Sequence, residues 1–174
     1  MATTIPSTNA AADHVQSGDR RTLHFDSVND ILRDVEKLNH GEIITTGNWS
    51  AAQIVLHINE IIVMSLDGFT FKAPWVLRVI GRLTRPYFLK RGFKPGFKVP
   101  PNAPSLIPPS DTAWTEALEA IRHTVQRIRN GERMTVPSPL FGKLTHEQWE
   151  QFHCRHAELH FSFMHPATPA SSSP

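Results

Sequence analysis

The stretch F-H-C-R-H-A-E-L-H, residues 152–160, sets His153, His156 and His160 beside the single cysteine of the chain, Cys154. Imidazole can ligate a metal, move a proton, or sit in a core on a hydrogen bond. The i,i+4 pair His156 and His160 puts two nitrogens on one helical face, where they can clamp one ion. One cysteine can form neither an internal disulfide nor a cysteine-based zinc cluster. With His153 as origin and about 100° per residue, His156 falls near 300° and His160 near 340°, an arc of about 60°. Trp149, Phe152, Leu159 and Phe163 overlap or flank that arc, so the histidines share the apolar face. Cys154, near 100°, faces away and reads as a small, partly buried hydrophobe.

Further up the chain, His57 shares its phase with Ile54, Ile61 and Met64 and therefore also points inward. One inward histidine is ordinarily a hydrogen-bonded core residue. Several converging at one level are costly to bury without partners, which leaves a metal site open beside the core reading. The candidate ligands are His57, His156 and His160. His153 is an alternative ligand, or a group behind the ligands that orients them or passes a proton. Glu60, three residues after His57, could orient a ligand or a bound water; its plain reading is a solvated helix charge.

Four helical segments must position these side chains. They are expected over residues 27–40, 51–67, 111–130 and 146–164. Ser27 is the first N-cap and Gly41 the first stop. Ser50 with Gln53, and Thr145 with Gln148, form capping boxes at the second and fourth helices. Trp49 with Ile54, and Leu144 with Trp149, occupy hydrophobic-staple positions. Gly131 lies beyond the third helix. Strand patterning is weak, with short extended pieces at 22–25 and 70–72. Four amphipathic helices imply an all-α four-helix bundle. More than forty residues join helices two and three, enough to run the bundle's length and leave those two parallel. The order is then up-down-down-up, with helix two antiparallel to helix four, which brings His57 level with His156 and His160.

The crossover, residues 68–110, holds eight of the eighteen Lys and Arg residues and none of the sixteen acids, leaving ten bases against sixteen acids elsewhere. Within it, W-V-L-R-V-I-G-R-L-T-R-P reads as a short amphipathic helix ending near Pro86. Trp75, Val76, Val79, Ile80 and Leu83 lie on one side and Arg78, Arg82 and Arg85 on another. Its plain reading is a subdomain packed on the bundle or on a second subunit, with its charges solvated or paired. Arg78, Arg82, Arg85, Lys90 and Arg91 are also candidates for an anionic small ligand; membrane and nucleic acid are not the expected partners. The proline-rich run 95–109 reads as a stiff connector that drapes over the bundle and helps close the site.

Together G-N-W-S-A-A-Q-I-V-L-H, F-K-A-P-W, F-L-K-R-G-F-K-P-G-F-K and F-G-K-L-T-H-E-Q-W-E-Q-F-H-C-R-H-A-E-L-H resemble one bacterial family, domain of unknown function 1569, of the DinB-like superfamily. The resemblance covers residues 20–166. It implies an up-down-down-up bundle with a divalent-metal site, in which a helix-two histidine, here His57, joins an H-x-x-x-H pair, here His156 and His160. It implies a homodimer, and a metal-dependent, thiol-using transferase among the activities of the superfamily.

Three neutral nitrogens leave positions open for water, as catalytic metals require. Zinc, nickel or iron each suits such a set. The readings are a metal-dependent transferase or hydrolase; a non-enzymatic metal- or ligand-binding protein; or a docking module acting through the basic segment. One domain is expected over 21–166, with disordered tails at 1–20 and 167–174. No signal-peptide pattern opens the chain, and no apolar run reaches the roughly 18 residues that span a bilayer, so a cytoplasmic protein is expected.

Overall fold

The structure is a computed structural model and describes residues 19–94, 96 and 106–167. Of the tails expected at 1–20 and 167–174, residues 1–18 and 168–174 lie outside the described residues, as do 95 and 97–105 of the connector. The described residues form five helices and one two-stranded ladder: α1 (Val28–Leu38), β1 (Ile43–Thr45), α2 (Ala51–Asp67), α3 (Trp75–Arg91), α4 (Trp114–Arg129), α5 (His146–Phe161) and β2 (Met164–Pro166).

The caps set the helix starts. Ser50 Oγ accepts from the Gln53 N–H while Gln53 Oε1 accepts from the Ser50 N–H, at 3.2 and 3.0 Å. Thr145 and Gln148 repeat the exchange at α5, at 3.2 and 3.1 Å. At α1, Asp30 accepts from the Ser27 N–H at 2.9 Å. Gly131, at φ 97°, closes α4 in the left-handed conformation that glycine adopts without penalty.

α2 is apolar nearly all round and lies in the middle, packed against α4 and α5; α1 packs on α4 and α5. The end of α2 meets the end of α4 through Asp67 and Arg127. Trp114, at the start of α4, donates to Asn39 beyond the end of α1 (2.7 Å), and Arg129, at the end of α4, donates to Asn29 near the start of α1 (2.6 Å). Along α5 the contacts with α2 pass from His160 and His57 to His153 and Ser65, so these two helices run antiparallel. Val28, Ile31, Val35, Val55, Ile58, Ile62, Ile121, Val125, Trp149 and Phe161 are among the residues filling the space between them.

Four expectations change. The fourth helix stops at Phe161, not 164, because residues 164–166 pair antiparallel with β1, Ile44 opposite His165. Pro166 also disfavours the helical region for His165. The ladder lies at 43–45 and 164–166; residues 22–25 and 70–72 join no ladder. The crossover helix does not end near Pro86: α3 runs through it to Arg91. Pro86 is exposed on one solvent-facing side, where the lost N–H is the smaller cost. Arg20, assigned to the tail by sequence, is tied down: its Nε donates to Ser162 Oγ at 2.9 Å and its guanidinium covers the Phe163 ring.

Candidate metal centre

α2 and α5 turn their imidazoles toward each other. Ring centroids are 5.1 Å apart for His57 and His156, 4.8 Å for His57 and His160, and 4.7 Å for His156 and His160. One nitrogen from each lies within 4.8 Å of the other two. These are the three residues singled out from the sequence.

Neighbours hold each ring. His57 Nδ1 donates to the Leu106 carbonyl at 2.7 Å. A carbonyl only accepts, so the proton sits on Nδ1 and Nε2 keeps its lone pair. Bonds of this kind orient metal-binding histidines. Trp49 stacks on His160, centroids 5.8 Å apart and planes 12° apart, and meets His57 edge-on at 4.9 Å. Phe93 and Phe152 flank His156, each at 5.7 Å. His156 Nδ1 is buried with no hydrogen-bond partner among the described residues. Leaving such an atom unsatisfied costs about 1–3 kcal/mol, a cost that coordination or a ligand would remove.

Burial keeps all of these rings neutral. It pushes His57 down to about 4, against the upward pull of the Leu106 carbonyl. His160 falls to about 3, by burial first and then by repulsion from His57. His156 lies well below the usual histidine range for the same reasons, with both partner histidines adding to burial. Neutral imidazole is the ligating form. Among the described residues no carboxylate or thiol joins the group. The donor set therefore fits a divalent ion of borderline softness, zinc, nickel or iron, better than calcium or magnesium. Binding would draw the three nitrogens inward, since zinc–imidazole bonds are about 2.0–2.1 Å.

The other candidates stand elsewhere. His153 is fully buried, stacks on Trp149 at 5.3 Å, and its Nε2 donates at 3.0 Å to Ser65 Oγ, whose own proton goes to the Ile62 carbonyl. Its Nδ1 has no partner among the described residues. Glu60 is half-buried on α2, its carboxyl raised by burial, and is not in the imidazole group. Arg78, Arg82, Arg85, Lys90 and Arg91 all lie on α3. Arg85 donates to the Lys143 carbonyl at 3.0 Å, and the Arg82 guanidinium lies against Gly142. Cys154 is buried and its thiol is pushed up to about 12, chiefly by that burial, so it is held as an unreactive thiol.

Sequence reasoning missed the Leu106 carbonyl, which no residue type signals, and the stacking role of Trp49, which it read only as a staple. Phe93, just past α3, is the other unforeseen wall.

A helical protein with three histidines gathered between two antiparallel helices is the class this fold and site define. The chain belongs to the family described as Protein of unknown function (DUF1569), whose model matches residues 17–167. Comparisons with curated proteins and with solved structures return no match.

Proposed function

We propose that this is a divalent-metal protein of the DinB-like kind, an up-down-down-up four-helix bundle whose ligands are His57, His156 and His160. The single observation that carries the reading is the convergence of three neutral imidazole nitrogens within 4.8 Å. The helix directions support it: the C-terminal ends of α2 and α4 meet through Asp67 and Arg127, so these two run parallel, while α5 runs antiparallel to α2. As an enzyme it would be a metal-dependent transferase or hydrolase. A divalent ion here would supply Lewis acidity, polarising a bound substrate or activating a thiol or water nucleophile. Leu106 fixes the tautomer of His57; Trp49, Phe93 and Phe152 pack against the rings. The nucleophile would come from a co-substrate, because the buried Cys154 thiol is held protonated. A second reading, metal or ligand binding without turnover, is favoured by the close aromatic cover on His156 and His160.

The test is elemental analysis of protein purified without a histidine tag, beside His57→Ala and His160→Ala. One equivalent of zinc, nickel or iron, lost in both variants, supports the centre. Protein that takes up no added ion refutes it. Thiol-transfer and hydrolysis assays on the loaded protein then separate enzyme from binder.

A further inference from the structure

α3 is seated by one face. Gly81 and Leu89 are buried, and a Cβ on Gly81 would stand 2.6 Å from the Leu140 carbonyl oxygen. Phe88 packs on Phe93 and Phe141, at 5.2 and 5.8 Å. At about 100° per residue, Trp75, Val79, Leu83, Val76, Tyr87 and Ile80 fan across the opposite side. The apolar crossover residues, expected to pack on the bundle or on a second subunit, therefore face away from the bundle: Trp75 is 72% exposed, Leu83 77% and Tyr87 53%. Arg78, Arg82, Lys90 and Arg91 are also exposed, and the segment 68–110 contains no acid.

We propose that α3 docks the protein on an anionic membrane surface, lying in the plane of the interface with its outer apolar face in the acyl boundary. Two observations on this helix argue for lipid, and a third bears on how it would lie. An apolar face with Trp and a Tyr, bordered by Arg and Lys, is the composition of an interfacial helix. No helix among the described residues is long and apolar enough to cross a bilayer, so α3 lies on the membrane rather than through it. Arg78 and Arg82 flank one edge of that face and Arg91 the other, with Lys90 at its C-terminal end and no acid among them, which complements anionic headgroups around the inserted face. A second copy fits less well. A two-fold α3–α3 contact sets a patch against itself. Antiparallel, it brings Arg78 against Lys90 and Arg91 with no carboxylate on the helix to offset them. Nucleic acid fits less well again, because Val79, Ile80 and Leu83 occupy the centre where phosphate contacts would be needed.

The experiment is co-sedimentation of the full chain with vesicles of phosphatidylcholine alone or with phosphatidylserine, at low and high salt, following the blue shift of tryptophan emission. Variants Leu83→Asp and Arg78→Ser/Lys90→Ser change exposed side chains, so far-UV circular dichroism should stay as in the parent. The expected result is binding at least tenfold tighter to the anionic vesicles. Leu83→Asp should abolish it, and the double variant or high salt should weaken it several-fold. Failure to bind anionic vesicles overturns the proposal. If the chain is then a dimer that Leu83→Asp dissociates, the face belongs to a second copy. If it is a monomer that Leu83→Asp leaves unchanged, the face is solvated or covered by the chain's own segment. Equal retention on duplex DNA would overturn it in favour of nucleic acid.

Discussion

α2 and α3 are the same length, seventeen residues each, and treat their side chains in opposite ways. α2 is enclosed on nearly every side and spends its buried polar positions on His57, Asn59 and Ser65. α3 buries only Gly81 and Leu89 and leaves Trp75, Ile80 and Leu83 in solvent. In α2 the hydrophobic effect defines the fold and makes polar atoms expensive, so the polar atoms that remain call for a reason such as ligation or a core hydrogen bond. In α3 it is the exposed apolar atoms that call for a reason. One helix is built around what it encloses, the other around what it presents.

The sharpest break in that comparison is at the imidazoles. His160→Ala should remove metal binding outright, with affinity falling at least a hundredfold by calorimetry, while far-UV circular dichroism stays unchanged. Retained metal would dissolve the contrast at its centre. Next comes packing against the enclosed helix. Trp149 is buried, donates to the Val136 carbonyl at 3.0 Å and stacks on Phe69 and His153. Trp149→Ala should cost about 3–5 kcal/mol in urea denaturation.

Acid should act on the same region. Burial holds metal-free His57 at about 4 and His153 at about 3. The unfolded chain takes up these protons first as pH falls. Their contribution is therefore whole above the ordinary histidine value of about 6.5 and is lost as pH drops toward the lowered ones. The melting temperature in chelator should decline over that window, and less steeply in His153→Gln. A flat profile between about pH 6.5 and 4.5 would count against the buried neutral rings.

Gly81→Ala comes fourth. Its Cβ would meet the Leu140 carbonyl oxygen at 2.6 Å and Cγ at 2.8 Å. The expected cost is about 1–3 kcal/mol, confined to α3: hydrogen exchange should rise over 75–91 and leave α2 and α5 protected. Leu83→Ala is the smallest, within about 0.5 kcal/mol. A larger loss would mean that the outward face is packed in solution.

The contrast also marks what was legible in the sequence. The boxes Ser50–Gln53 and Thr145–Gln148 could be read because capping is local, set by residues three apart. The gathering of His57, His156 and His160 could be read because helical phase fixes a face and chain direction fixes a level. His153 shares that phase and yet meets Ser65, because a wheel discards the axial coordinate: three residues are about 4.5 Å of rise. β1 and β2 escaped notice because three-residue strands carry no periodicity. The course of α3 through Pro86 was hidden because proline's cost depends on what surrounds it. The outward turn of Trp75 and Leu83 was hidden because amphipathicity says which residues share a side, not which side faces the protein.

The bond from His57 to Leu106 spans 49 positions of sequence and ends on a main-chain oxygen. Every amino acid supplies that atom, so substitution at 106 leaves the acceptor in place. What holds the imidazole is the position of the main chain rather than the identity of a side chain. A displacement that moves the Leu106 carbonyl away from Nδ1 would therefore disturb the centre more than a replacement of the Leu106 side chain.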